Sequence, residues 1–180
     1  MIPFLSVIGR GNTGKTTLIR NLIRELGILG YSVAVIKHDP EEHGTVDRKG
    51  SDTWLFREAG SRAVILASPS RITLFRTTEK EQFPEELFQL CGDVDLIILE
   101  GYKKRDYPKI FLWTEKKEKL DVDPLWNLLA IIYTKEEEKE ALKRFGDTAI
   151  PLFCRDDSVK IAQFVEQYIF KTKERDKGGR

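Results

Sequence analysis

The chain has 180 residues, 41% of them apolar, which is the size of one ordinary domain with enough hydrophobic side chains for a single core. Thirty Lys and Arg against 29 Asp and Glu leave a formal charge of +1, so no global field gathers nucleic acid or an anionic membrane, and any anion must be captured locally. Two cysteines, Cys91 and Cys154, without a CxxC spacing, exclude a disulfide framework and a zinc knuckle and point to a reducing cytoplasmic compartment. No apolar run approaches the roughly 20 residues of a membrane span, and no basic segment of a secretory leader precedes the short apolar N-terminus.

In chain order, residues 4–9 read as a first strand and residues 16–26 as an amphipathic helix, with Leu18, Ile19, Leu22, Ile23 and Leu26 on one face and Gly27 and Gly30 closing it. Residues 31–36, rich in β-branched side chains, complete a βαβ unit. Residues 38–50 are polar and aperiodic, a long exposed loop of the functional kind. Ser51 or Asp52 then caps a short helix ending at Ala59-Gly60. Residues 63–67 and 71–77 form an antiparallel hairpin, and Pro84 opens a helix reaching residue 91. Buried strands are expected at 95–99, 110–113, 128–133 and 150–153, with helices at 135–145 and 158–170. The alternation predicts an α/β fold, a P-loop NTPase with a mostly parallel sheet, helices on both faces and an inserted β-hairpin. One nucleotide-binding domain covers residues 1–170, and the charged residues 171–180 are expected to fray.

The strongest chemical signal follows the first strand. Gly9-Arg10-Gly11-Asn12-Thr13-Gly14-Lys15-Thr16 matches G-x-x-x-x-G-K-[ST] in a strand–loop–helix setting. The backbone from Gly11 through Asn12, Thr13, Gly14, Lys15 and Thr16 to Thr17 can converge its N–H groups on phosphate oxygens at a helix N-terminus. Lys15 reaches the β- and γ-phosphates and Thr16 offers a hydroxyl to Mg²⁺. A turn that only connects strand to helix requires neither of those side chains.

An acidic partner belongs at the carboxyl end of a neighbouring parallel strand, where ligands gather in open α/β sheets. Glu100 follows the run Leu96-Ile97-Ile98-Leu99 and takes the metal-binding or water-orienting role, whereas Asp95 precedes the run and falls at the opposite edge. Asp39, leaving the second strand in Lys37-His38-Asp39, is a third candidate for a magnesium-bound water, with a turn-forming Asp before Pro40 as the plainer alternative. Lys37 and Lys103 are candidate phosphate contacts, or simply solvated lysines.

Taken in order, these residues resemble the molybdopterin-guanine dinucleotide biosynthesis protein B family of small P-loop GTP-binding proteins. The resemblance rests on the phosphate loop, Lys37-His38-Asp39, Asp47 with Gly50-Ser51-Asp52-Thr53, Ala59-Gly60, Glu100-Gly101-Tyr102-Lys103, and Pro151-Leu152-Phe153 with Asp156-Asp157. It implies a homodimer that binds GTP with Mg²⁺, hydrolyses it weakly at most, and assists the molybdopterin guanylyltransferase, with molybdopterin itself a further ligand. Members commonly carry more histidines after the Lys-His pair, whereas Pro40-Glu41-Glu42 stand here before His43, which weakens metal binding by imidazoles in this loop.

Guanine preference is a separate question. Thr134-Lys135-Glu136-Glu137 stands where a GTPase carries Asn/Thr-Lys-x-Asp, with Glu137 in place of the guanine-reading Asp. The plainer reading makes Glu136, Glu137, Glu138 and Lys139 a solvated helix start with charge favourable to the helix dipole. Two other functions fit the same loop: a small-molecule kinase with Arg48 and Lys49 in its lid, and a GTPase metallochaperone, the latter disfavoured because His38, His43, Cys91 and Cys154 lack compact ligand spacing. No in-chain arginine finger is evident, in keeping with slow turnover. For dimerisation, the hairpin and the 110–113 strand offer edges.

Overall fold

The computed structural model describes residues 2–41, 44, 47–115 and 127–178, with side chains through Glu174. His43 and the last two residues of the expected tail lie outside the described residues. In chain order the elements are β1 (Phe4–Ile8), α1 (Lys15–Ile28), β2 (Val33–Lys37), α2 (Asp52–Glu58), β3 (Ala63–Ser68), β4 (Arg71–Arg76) and α3 (Pro84–Leu87). They continue with a 3₁₀ turn (Phe88–Leu90), β5 (Leu96–Glu100), β6 (Lys109–Leu112), β7 (Leu128–Tyr133), a 3₁₀ turn (Lys135–Glu137), α4 (Glu138–Phe145), β8 (Leu152–Cys154) and α5 (Ser158–Gly178). Two compact units result, one from Met1–His38 with Leu87–Arg180 and one from Asp39–Glu86.

The first unit is built on a six-stranded sheet in the order β2-β5-β1-β6-β7-β8, every neighbouring pair parallel. Parallel strands buried on both faces require apolar residues at successive positions, and Leu96, Ile97, Ile98 and Leu99 of β5 are all fully buried. Their alternate side chains feed two layers. On one face Leu96 and Ile98 join Leu5, Val7, Leu18, Leu22 and Leu26 and, from α5, Ile161, Val165 and Ile169. On the other, Ile97 and Leu99 pack with Phe4, Ile36, Phe88 and Tyr102, while Ala141 and Phe145 of α4 cover Ile8, Phe111, Trp113 and Ile131. Truncating one such Leu to Ala costs about 2–5 kcal/mol, so this packing and not local propensity holds the sheet edge in place. The expected mostly parallel α/β sheet with helices on both faces is therefore present.

Several boundaries differ from the pattern-based ones. The helix α1 runs through Gly27 to Ile28. An exposed helical glycine costs only about 1 kcal/mol, less than burial of Leu22 and Leu26 returns. The helix expected from Pro84 to residue 91 is one short α-helical turn followed by a 3₁₀ turn. Strand β8 begins after Pro151, which has no N–H to donate and whose carbonyl accepts from Ile131.

Helix α5 continues past Phe170, where the apolar pattern ends, to Gly178. Long-range contacts carry it there. The Tyr168 hydroxyl donates to the Phe4 carbonyl at 2.9 Å, the Phe170 ring meets Tyr31 edge-on at 6.1 Å, and Lys173 Nζ donates to Asp95 at 2.7 Å. Asp95 also accepts from the Ser32 N–H and hydroxyl, and Lys173 with Ser32 holds its pKa down to about 2. Asp95 thus stands at the strand start, as expected, and is a structural anchor.

In the second unit β3 and β4 pair antiparallel, with Ser68 opposite Arg71 across the Pro69-Ser70 turn, so the inserted hairpin is present. Ser51 caps α2, its hydroxyl accepting from the Trp54 N–H. Asp47 is the hub of this cap. Its carboxylate accepts from Ser51, Thr53 and Arg57, and although burial raises its pKa, those three bonds outweigh burial and leave it lowered. The Asp47/Ser51/Thr53 part of the motif therefore builds a helix start.

Candidate functional site

The phosphate loop leaves β1 at Ile8 and enters α1 at Lys15. Asn12 takes a left-handed conformation with φ 58°, one of the few that Asn tolerates well, and the Thr13 hydroxyl donates to the Arg10 carbonyl at 2.8 Å. Lys15 folds back so that Nζ donates to the same carbonyl at 2.7 Å. The first turn of α1 contains no acidic residue, so nothing on the helix opposes an anion there.

Glu100 reaches the loop from β5, the neighbour of β1. The Thr16 hydroxyl lies 3.4 Å from Glu100 Oε1. The position of Glu100 is held from both sides: its carbonyl accepts from the His38 N–H at 3.0 Å, and the next N–H, that of Gly101, donates to Val7 at 3.2 Å. Ser6, fully buried on β1, donates its hydroxyl to the Gly101 carbonyl at 2.5 Å. Gly101 has φ +103°, and a Cβ there would stand 3.2 Å from His38 Cβ, so a side chain at this turn would be strained and crowded at once. Beyond it Tyr102 stacks on the His38 ring, centroids 4.5 Å apart and planes 27° apart. Ser6 was not among the expected site residues. A lone polar residue inside an apolar strand was the available signal.

The other candidates divide. Lys37 is the register partner of Glu100 on β2, which puts the lysine on the same face at the same sheet edge. Lys103 follows the Gly101-Tyr102 turn in the first unit. Asp39 belongs to the second unit, where its carboxylate accepts from the Gly44 N–H at 2.7 Å in the manner of a turn-forming residue. Thus the structure brings Lys15, Thr16, Lys37 and Glu100 to one edge of one sheet.

At the other end of that edge lie the residues weighed for base recognition. Glu137 is neither exposed nor available to a base. Its Oε1 accepts from the Thr114 hydroxyl at 2.5 Å and the Glu115 N–H at 3.0 Å, and its Oε2 accepts from the Thr134 hydroxyl at 2.9 Å. This ties the carboxyl ends of β6 and β7 together and takes Glu137 out of the expected solvated helix start, whereas Glu136, Glu138 and Lys139 are exposed there. Glu136 is held below the ordinary carboxylate range, chiefly by its own backbone N–H, then by Thr134 and by the charge of Arg155. Arg155, after β8, was not among the expected site residues, yet it reaches the phosphate loop, with Nη1 2.8 Å from where a Gly14 Cβ would stand.

The expected edge strand at 110–113 is also corrected, because β6 lies between β1 and β7. Cys91 and Cys154 are free and partly buried, and burial raises the Cys91 pKa. Among the described residues no group of three or more His, Cys, Asp or Glu side chains is placed to hold a metal, and no helix is long and apolar enough to cross a membrane.

A parallel α/β sheet whose first strand feeds a glycine-rich loop, a lysine and a hydroxyl residue at a helix N-terminus defines the P-loop fold class. Within that class the chain belongs to the molybdopterin guanine dinucleotide synthesis protein B family, whose sequence model matches residues 4–134. It is 38% identical over 120 residues to a molybdopterin-guanine dinucleotide biosynthesis adapter protein of Haemophilus influenzae, covering 66% of this chain and 67% of that one. The Escherichia coli protein of the same description is 34% identical over 131 residues, covering 68% and 74%. In three dimensions the fold is similar to the crystal structure of Bacillus subtilis MobB, with a TM-score of 0.72 and 26% identity over 92% of this chain and 98% of that one.

Proposed function

We propose that this chain binds GTP with Mg²⁺ at the phosphate loop and acts as an adapter protein in molybdopterin guanine dinucleotide synthesis, hydrolysing its nucleotide weakly at most. The observation that carries the nucleotide site is the approach of the Thr16 hydroxyl to Glu100 across the loop. Hydroxyl and carboxylate oxygens are the hard donors that Mg²⁺ prefers, and they stand beside a lysine and the helix N-terminus. Mg²⁺, when bound, neutralises charge on the terminal phosphates. The adapter role is supported by the names that the bacterial relatives carry.

The residues divide the work. Backbone N–H groups of Gly11 through Thr17 receive phosphate oxygens, and Lys15 releases the Arg10 carbonyl to pair with the terminal phosphates. Thr16 and Glu100 hold the cation, Glu100 also orienting an attacking water. Lys37 adds positive charge at the same edge. The protein partner in this reading is the guanylyltransferase that joins GMP to molybdopterin, with molybdopterin a candidate ligand of the complex. Homodimerisation is supported by the hairpin, where Ile65, Leu66 and Ile72 are 55–75% exposed on a two-stranded sheet that is marginal by itself.

Competition calorimetry, GTP against ATP with and without Mg²⁺, tests the site. The expected result is Mg²⁺-dependent binding with GTP preferred, and faster dinucleotide assembly when the chain is added to molybdopterin and the guanylyltransferase. Phosphoryl transfer to a small metabolite with no effect on that assembly would select the kinase instead.

A further inference from the structure

The Arg155 side chain reaches the phosphate loop from the β7–β8 side of the sheet. Its backbone N–H donates to the Tyr133 carbonyl at 2.7 Å, which holds the residue at the joint carboxyl end of β7 and β8. From there the guanidinium lies against Gly14, where an added Cβ would meet Nη1 at 2.8 Å, Cδ at 3.7 Å and Cζ at 3.8 Å. Its ion pair with Asp156 is weak, Nε to Oδ1 at 3.7 Å with Asp156 62% exposed, and its charge also acts on Glu136 nearby. The guanidinium is therefore kept by the backbone and by packing on the loop, and only loosely by an ion pair.

The direction of approach assigns its role. The sheet order puts β5, with Glu100, on one side of β1, and β6, β7 and β8 on the other. Thr16 and Glu100 mark the terminal-phosphate end of the loop. A nucleotide with its terminal phosphates between Thr16 and Glu100, extended along the sheet edge away from β5, would carry its nucleoside end toward β7 and β8, where Arg155 stands. We infer that Arg155 binds the nucleoside-proximal phosphate of a nucleoside di- or triphosphate, as a contact separate from the terminal-phosphate machinery of Lys15, Thr16 and Glu100. This rests on the proposed nucleotide site and extends it: the loop is read from both ends, and Gly14 carries no side chain at the point where the guanidinium crosses it. A planar five-donor group suits phosphate oxygens, and its bonds to them are charge-assisted.

The test is Mg²⁺-containing calorimetry of Arg155→Ala, Arg155→Lys, Lys15→Ala and the unaltered chain with GTP and with GDP. Loss of a charge-assisted bond common to both ligands weakens GTP and GDP by the same factor, about 10- to 100-fold, and Arg155→Lys restores part of it. Unchanged affinity for both ligands, or a loss confined to GTP with GDP unaffected, overturns the assignment. If Arg155→Ala does not fold by its thermal melt, Arg155→Gln takes its place. Failure of the unaltered chain to bind either nucleotide overturns the underlying site as well. Binding that is lost in Lys15→Ala but intact in Arg155→Ala overturns only the role given to Arg155.

Discussion

The Thr16 hydroxyl and Glu100 Oε1 stand 3.4 Å apart although 84 positions separate the two residues in the chain. Parallel pairing of β1 with β5 produces this contact, since Val7 is in register with Glu100 and the loop after β1 turns back over the same sheet edge. On the proposed reading the pair holds Mg²⁺, and the two residues should fail differently. Glu100→Gln keeps the hydrogen-bonding shape and removes the charge, so it should lower GTP hydrolysis at least tenfold while nucleotide affinity falls much less. Single-turnover hydrolysis beside calorimetry checks this. Equal loss of both would make Glu100 a structural residue.

Glu137 accepts three hydrogen bonds within the chain, so it is spent as a guanine reader. Glu137→Ala should leave the ratio of GTP to ATP affinity unchanged and should instead loosen the ends of β6 and β7. Leaving the Thr114, Thr134 and Glu115 donors without their acceptor costs about 1–3 kcal/mol. Denaturant unfolding and nucleotide competition on the same variant separate the outcomes. A collapse of guanine preference with unaltered stability would restore the base-reading role.

Asp95 and Lys173 form the third test. The pKa of Asp95 is lowered to about 2, so the charged form is favoured in the folded chain. The sign follows: this contribution is complete above the unfolded value near 4 and is lost as pH falls toward 2. Both side chains are partly solvated, Lys173 at 41% and Asp95 at 33% exposure, so screening limits the pair to about 1 kcal/mol. Lys173→Met should therefore lower stability near neutral pH by that amount and flatten its dependence between pH 4 and 2. Hydrogen exchange should show earlier opening of α5 beyond Phe170. An unchanged acid profile would leave the Ser32 bonds as the sole anchor.

Local rules made much of this protein legible. The strand at Leu128–Tyr133 is found at the expected residues, and Ser51 caps α2 as its residue type foretells. Lys15, Thr16, Lys37 and Glu100 share an edge because a run of buried residues has to end somewhere, and in a parallel sheet the carboxyl ends lie together. The misjudged features depend on distant partners. Residues 171–178 carry no apolar periodicity of their own, yet Asp95 holds Lys173 and α5 continues through them. The 110–113 strand offers no mark in sequence of whether it is an edge, and only strand order places β6 in the interior.

By itself, the sequence determined the α/β class, the phosphate loop with its lysine and hydroxyl, and the hairpin, because each depends on residues within a few positions of one another. Tertiary structure alone decided three things: that Ser6 fastens the turn after Glu100, that Glu137 is consumed between β6 and β7, and that Arg155 lies on Gly14. Each is a meeting of groups far apart in the chain. Burial and strand order bring them together, and neither is written in the spacing of nearby residues.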